Sequence, residues 1–210
     1  MGVDQTNLKQ RIYCHRGFWA SKDEQNSSDA LSRATTAGFG IETDIRDTLG
    51  SIAISHDPVR VPNLVIEDLA SGTVPIALNI KADGLLSLKN LHLREILSFS
   101  GSFVFDASVP EMLRYKKAEL PHALRLSEFE RELPWKSEFV WLDAFNSDWW
   151  TEGETLKRLS NDHFVIVVSP ELHQREYAQV WSHVLDEMLS GNQNIAICTD
   201  FPEEFYGMAQ

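Results

Sequence analysis

Short apolar runs alternate with longer polar or amphipathic segments along the whole 210-residue chain. The apolar runs are rich in Val, Ile, Leu and Phe, and some, such as FVIVVS and IAICT, are apolar at nearly every position. Such runs are typical of strands that are buried on both faces of a parallel sheet. The pattern predicts eight strands, at Arg11–His15, Gly40–Ile45, Ile76–Ile80, Ser102–Phe105, His122–Leu126, Phe139–Leu142, Phe164–Val168 and Asn194–Cys198.

The segments between these strands favour helices. Asn26–Ala37 opens with residues that commonly cap helices, and Arg175–Leu189 carries apolar residues at helical spacing. Eight such alternations predict one α/β domain over residues 1–210, a (β/α)₈ TIM barrel, with a doubly wound open sheet as the alternative. Because the chain is short for a barrel, we expect helices to be reduced or missing after the second and the fifth predicted strand.

Charge and hydropathy narrow the classes of partner. The chain has 31 Asp and Glu against 19 Lys and Arg, a formal net charge of -12, which argues against a nucleic-acid partner. No apolar run approaches the roughly 18 residues of a membrane span, and the first residues lack the apolar core of a signal peptide. We therefore expect a cytoplasmic protein without a membrane span, in which Cys14 and Cys198 are buried free thiols. The oligomeric state stays open.

Polar residues cluster where the first two predicted strands end, which is the end at which barrels collect active-site residues. The first strand ends at His15 and is followed by Arg16, and a β-like run at Ser51–Ser55 leads into His56. Glu42 and Asp44, two apart on one strand, share a side of it and can both enter the barrel mouth. Two facing carboxylates repel each other, so the spacing predicts either a bound hard cation such as Mg²⁺ or Ca²⁺, or pairing with Arg and Lys residues of the barrel.

Several motifs occur in a recognisable order. They are HRG at residues 15–17, EQN at 24–26, GFGIETDIRDT at 38–48 and SHDP at 55–58, and ICTDFP follows at 197–202. In this order they resemble the glycerophosphodiester phosphodiesterase family, within the larger phosphatidylinositol-phospholipase-C-like barrel superfamily. The resemblance is strongest over residues 11–58 and weak between the two ends of the chain.

The resemblance implies a metal-dependent phosphoric diester hydrolase with a place in lipid metabolism. Its substrate would be a small phosphodiester, a glycerophosphodiester or a phosphate-bridged polyol or sugar, split into an alcohol and a phosphomonoester. His15 and His56 match the two catalytic histidines, one as acid and one as base, in an order that the sequence leaves open. The metal ligands would include Glu42 and Asp44, and Arg16 matches an arginine that contacts the phosphate.

The third predicted strand departs from the family pattern, which has Glu-x-Lys. Here Asn79 stands at the Glu position as a neutral metal ligand, and Lys81 matches the Lys as a substrate-binding residue. Asp83 or Asp106 could replace the missing acid, and in an alternative register Lys81 itself stands at the acidic position. The missing charge also motivates an alternative function, a catalytically weak or inactive barrel that binds a phosphorylated ligand.

Two further polar residues have more than one interpretation. Asn26 either orients the metal site or substrate, or caps the following helix. Arg125, in a predicted strand, either contacts phosphate or forms an ion pair with Glu128 or Asp143.

Overall fold

The computed structural model describes residues 5–70 and 72–210, and eight of its strands run parallel around a nearly closed barrel. This confirms the predicted (β/α)₈ architecture. In chain order the strands are β1 (Ile12–His15), β2 (Gly40–Thr48), β3 (Ser51–Ile54), β4 (Ile76–Ile80), β5 (Phe103–Phe105), β6 (Ala123–Leu126), β7 (Phe139–Leu142), β8 (Phe164–Val168) and β9 (Ile195–Thr199). The remaining strand, β3, pairs antiparallel with β2 and lies outside the ring of parallel strands.

The ring has one weak seam. Its strands follow the order β5, β4, β2, β1, β9, β8, β7, β6, so closure requires β5 to meet β6. A parallel bridge between Val104 and His122 makes that connection, supported by the hydrogen bond from the Val104 N–H to the Pro121 carbonyl at 3.2 Å. The barrel is therefore nearly closed rather than fully hydrogen-bonded around its circumference.

Seven α-helices accompany the strands in the described residues. They are α1 (Gln5–Gln10), α2 (Ser28–Ala37), α3 (Leu91–Leu97), α4 (Val109–Lys117), α5 (Thr155–Ser160), α6 (Ala178–Leu189) and α7 (Pro202–Met208). As predicted, no α-helix joins β2 to β4 or β6 to β7 in the part of the chain that the structure describes. Helices α2 and α6 begin later than predicted, and Ser27 caps α2 by accepting a hydrogen bond from the Ala30 N–H.

Aromatic side chains fill the lower part of the barrel. Phe103 stacks on Phe139 with ring centroids 4.9 Å apart, and Phe105 stacks on Trp141 at 4.0 Å. Alternation along the strands places these rings inside the barrel and the next apolar set outward, against the helices. The interior of the barrel is thus filled by apolar side chains along most of its length and becomes polar only near the carboxyl ends of the strands.

Both cysteines are buried free thiols, as predicted. Burial raises the pKa of Cys14 and of Cys198 well above the usual value, so both stay protonated. Within residues 5–70 and 72–210, none of the helices has the length and apolar character that crossing a membrane requires.

A tight turn after β1 positions the first functional residues. Arg16 and Gly17 both have positive φ, 60° and 86°, and the Gly17 N–H donates to the Cys14 carbonyl. A Cβ atom on Gly17 would lie 2.9 Å from the Ala30 backbone carbon. Gly17 therefore serves two requirements, a left-handed backbone and close contact with α2.

We expect Gly17→Ala to lower the free energy of unfolding by about 2–4 kcal/mol, because it adds a steric clash with α2 to the conformational cost of positive φ. Gly191→Ala is the matched control, since Gly191 has φ 101° and a Cβ atom added there would meet no other atom within 4 Å. Gly191→Ala should lower the free energy of unfolding by about 1–2 kcal/mol, from the conformational cost of positive φ alone. Equal losses by urea denaturation would contradict the close packing of this turn.

Candidate functional site

The predicted site residues on β1, β2 and β4 meet at the carboxyl end of the barrel. Strand pairing sets His15 beside Glu42, and two residues further along β2 it sets Asp44 beside Asn79. Lys81 directly follows β4. Three neighbouring strands thus bring these side chains to one region of the mouth.

Asp44 is fully buried and surrounded by donors. Its Oδ2 lies 3.0 Å from Arg16 Nε and 2.9 Å from Asn26 Nδ2, and its Oδ1 lies 3.2 Å from Lys81 Nζ. A buried carboxylate needs such partners because desolvation disfavours an unpaired charge. For Asp44, the structure therefore has the Arg and Lys pairing that was the alternative to a bound cation.

Asn26 orients the Asp44 carboxylate and does not cap the helix, so the capping alternative is wrong. Its side-chain oxygen accepts hydrogen bonds from the Thr43 hydroxyl at 2.7 Å and from the Asp44 N–H at 3.3 Å. Asn26 adopts φ 58°, a conformation that Asn tolerates better than most residues. The residue that caps α2 is Ser27. The amide thus fixes Asp44 from both its backbone and its side chain.

Glu42 is the second buried carboxylate. Its Oε2 accepts a hydrogen bond from the Arg16 N–H at 3.0 Å, whereas its Oε1 has no hydrogen-bond partner among the described residues. Burial, and next the negative charge of Asp44, raise the pKa of Glu42 to about 7. The group therefore lies near the midpoint of its titration at neutral pH.

His15 is held by Asp200, which lies in the ICTDFP motif but had no predicted role. Its Nδ1 lies 2.7 Å from Asp200 Oδ1, just beyond β9, and its side chain is 20% exposed. Burial alone lowers the pKa of His15, but the hydrogen bond to Asp200 and the charges of Glu42 and Asp200 outweigh it, so the pKa lies above the usual value. Since Asp200 accepts at Nδ1, Nε2 is the nitrogen free for proton exchange.

Asp200 is itself positioned by a buried network around Glu171. Glu171 Oε1 accepts from the Asp200 N–H at 3.1 Å and from the Thr199 hydroxyl, and its other oxygen accepts from the Ser169 hydroxyl. The Ser169 oxygen in turn accepts from Trp181 Nε1 at 2.6 Å. This network connects α6 and the ends of β8 and β9 to His15, although Glu171 and Ser169 lie in no motif that marks them in sequence.

His56 occupies a different part of the site. It follows β3 on a loop, its side chain is 48% exposed, and its Nδ1 lies 2.9 Å from Asp57 Oδ1. Among the described residues, no hydrogen bond or ion pair joins the His56 imidazole to His15, Glu42 or Asp44. His56 does line a cleft of about 490 Å³ together with Arg16 and Asn26, so Arg16 connects the two regions.

A second polar cluster lies at the ends of β5, β6 and β7. Arg125 pairs with Asp106, with Glu130 at 3.7 Å and with Asp143 at 3.9 Å. The predicted ion pair with Asp143 is therefore confirmed. The one with Glu128 is wrong, because that carboxylate accepts from the backbone N–H groups of residues 145–147.

The same cluster contains a histidine–carboxylate pair. His173 Nε2 lies 2.7 Å from Asp143 Oδ1. His173 belongs to a 3₁₀ turn, Pro170–His173, after β8, and only the strand order brings it to Asp143 on the neighbouring strand.

The two acids considered as replacement metal ligands are engaged elsewhere. Asp106 pairs with Arg125, and Asp83 accepts hydrogen bonds from the Ser108 N–H, at 3.2 Å, and hydroxyl. Asn79 Oδ1 is buried and, like Glu42 Oε1, has no hydrogen-bond partner in the described part of the chain. Asp44 Oδ1 also has no hydrogen-bond partner there and has only the ion pair with Lys81, so these three oxygens are the acceptors that could receive a cation.

In this arrangement the residues do not fit a divalent ion held by Glu42, Asp44 and Asn79. Both Asp44 oxygens already contact cationic groups, and Asn79 brings no charge to offset them. Within the described residues, no three His, Cys, Asp or Glu side chains are grouped closely enough to hold a metal ion. Hard cations favour several charged oxygen ligands, which this set supplies only in part.

Comparison with known proteins adds no family assignment. No known protein-family profile matches the chain, and no curated protein is significantly similar to it in sequence.

We expect Glu42→Gln, measured in chelator, to raise the melting temperature at pH 8 by about 5–10 °C and to have little effect near pH 4.5. The raised pKa of Glu42 means that the folded state binds an extra proton between about pH 4.5 and 7, so stability falls as the pH rises through that window. Above it, the charged form costs about 2–3 kcal/mol, and Gln removes that cost.

Glu138→Gln, at an exposed position, is the control and should change the melting temperature little at either pH. A Glu42→Gln effect that is the same at pH 4.5 and pH 8 would contradict the assignment of the titrating group.

Proposed function

We propose that this barrel hydrolyses a small phosphodiester to an alcohol and a phosphomonoester, as a phosphoric diester hydrolase. The observation that carries the proposal is that the His15–Asp200 pair and two cationic side chains, Arg16 and Lys81, lie at the carboxyl ends of neighbouring strands of the barrel. Phosphodiester cleavage needs a proton donor, a proton acceptor and positive charge near the phosphoryl oxygens. The order of motifs along the chain supports the same reaction class.

In the proposed reaction, the His15 side chain is the general acid. The hydrogen bond to Asp200 and the nearby negative charges raise its pKa and so favour the protonated imidazole, and Nε2 can give its proton to the oxygen of the departing alcohol. His56, on the rim of the cleft that exposes Arg16, takes a proton from the attacking water. The water oxygen bonds to phosphorus as the phosphorus–alkoxide bond breaks, so one proton is taken up by His56 and one is released by His15.

Arg16 and Lys81 would bind the phosphoryl oxygens. Both side chains are about a quarter exposed, 24% and 22%, while the carboxylate that holds them is fully buried. Donors anchored in this way can stabilise charge that develops in the transition state without reorganising.

A second candidate is a barrel that binds a phosphorylated ligand without turnover. The exposed position of His56 and its pairing with Asp57 favour it, because a general base must reach the attacking water. Hydrolysis assays and binding of inorganic phosphate, run on the same protein, separate the two candidates.

We expect His15→Ala and His56→Ala each to lower turnover of a glycerophosphodiester by about 100-fold, the usual size for loss of an acid or base. A nitrophenyl diester distinguishes the roles, since its leaving group needs no proton. His15→Ala should then lose little activity, whereas His56→Ala should stay impaired. The reverse pattern would exchange the two roles, and full activity of either variant on both diesters would remove that histidine from the mechanism.

We expect Asp200→Asn to move the alkaline limb of the kcat/KM profile to lower pH. The substitution removes the carboxylate that raises the pKa of His15, so the acid form is lost earlier as the pH rises. Titration of the His15 imidazole by NMR should show the same direction. Asp162→Asn, at an exposed position, is the control, and an unshifted limb in Asp200→Asn would assign the acid to another group.

A further inference from the structure

Lys81 contacts the carboxylate that was expected to ligate a metal. Its ammonium lies 3.2 Å from Asp44 Oδ1, while Arg16 Nε lies 3.0 Å from Oδ2. Strand pairing places Asn79 beside Asp44, and Lys81 reaches the same carboxylate from the position directly after β4. A protein cation therefore lies against each oxygen of the buried acid.

The Lys81 and Arg16 side chains have more N–H donors than their contacts with the protein use. Among the bonds of the described residues, the Lys81 ammonium contacts Asp44, and the Arg16 guanidinium contacts Asp44 through Nε and Gln25 through Nη1 at 3.3 Å. An ammonium has three N–H donors and a guanidinium has five. Both groups reach solvent at the mouth, so the remaining donors are available to an anion.

Charge also favours an anion over a second cation here. Arg16 and Lys81 supply two positive charges against the negative charge of Asp44 and, when Glu42 is ionised, a second one, so these four groups carry no excess negative charge that would attract a divalent ion. A divalent ion at Asp44 would have to displace both groups or lie directly beside them. An oxyanion would need neither to displace Arg16 and Lys81 nor to lie beside groups of its own charge.

We propose that Lys81 and Arg16, held by the buried Asp44, form a metal-independent binding site for a phosphoryl group. In this site Asp44 positions two protein cations and does not ligate a metal, because Lys81 and Arg16 each contact one of its oxygens. That the anion is a phosphoryl group rests on the proposed function. The arrangement of Lys81, Arg16 and Asp44 is independent of that function, because it is seen directly in their contacts.

The test is Lys81→Glu, with Lys136→Glu as a control of equal charge change at an exposed loop position. In chelator, we expect the unmodified chain and the control to bind inorganic phosphate by calorimetry, with the same affinity as in Mg²⁺ or Ca²⁺. Lys81→Glu should weaken phosphate binding at least tenfold. It should also gain a rise in melting temperature with Ca²⁺, because the introduced carboxylate would join Glu42 and Asp44 as a third acid.

Lys81→Met covers the case in which three buried acids prevent folding. It removes the ammonium at similar length and should weaken phosphate binding without creating a Ca²⁺ response. A saturable rise in the melting temperature of the unmodified chain with Mg²⁺ or Ca²⁺, or phosphate binding that requires either ion, would overturn the proposal. So would the absence of phosphate binding under both conditions. Phosphate binding in chelator with no cleavage of any diester would instead reject the proposed hydrolysis and leave this site in place.

Discussion

The mouth of this barrel depends on one buried carboxylate, Asp44. An ionised group with no exposed surface is unfavourable unless donors surround it, and here the donors come from separate parts of the chain. Arg16 belongs to the turn after β1, Asn26 to the segment before α2, and Lys81 to the end of β4. The need to satisfy Asp44 therefore fixes three segments relative to β2, and it also orients the cations that face solvent.

The remaining polar groups of the mouth form two sets. On β1 and β9, the His15–Asp200 pair is supported from behind by Glu171, which accepts from the Asp200 N–H. On the other side, the Arg125 guanidinium lies among three acids and stacks over the Phe145 ring, 5.5 Å from its centroid. The first set leaves donors and a titratable nitrogen available, whereas the second largely neutralises itself. This asymmetry is why the proposed chemistry belongs to the side of β1, β2 and β4.

The small size of the chain has a structural consequence at the same end. In residues 5–70 and 72–210 no α-helix follows β2 or β6, so the connections there are a hairpin, loops and one 3₁₀ turn at Ile66–Asp68, and the first of these connections carries His56 to the rim. A side chain on such a loop is placed by local contacts, here with Asp57, and not by a packed strand. The difference between His15, fixed by a buried network, and the half-exposed His56 follows from this.

The sequence by itself determined the eight buried strands and their alternation with helices, because strands buried on both faces are apolar almost throughout. It favoured a barrel over an open sheet, and the contact between β5 and β6 that closes the ring was visible only in the tertiary structure. It also identified the cluster of His15, Arg16, Glu42 and Asp44, since residues at the carboxyl ends of adjacent parallel strands must converge. Only the tertiary structure decided what each group contacts. Asp200 and His15 are 185 residues apart and meet because β9 pairs with β1, and Lys81 reaches Asp44 because β4 pairs with β2. Pairing between distant segments is set by how the barrel closes, which composition and spacing along the chain do not contain.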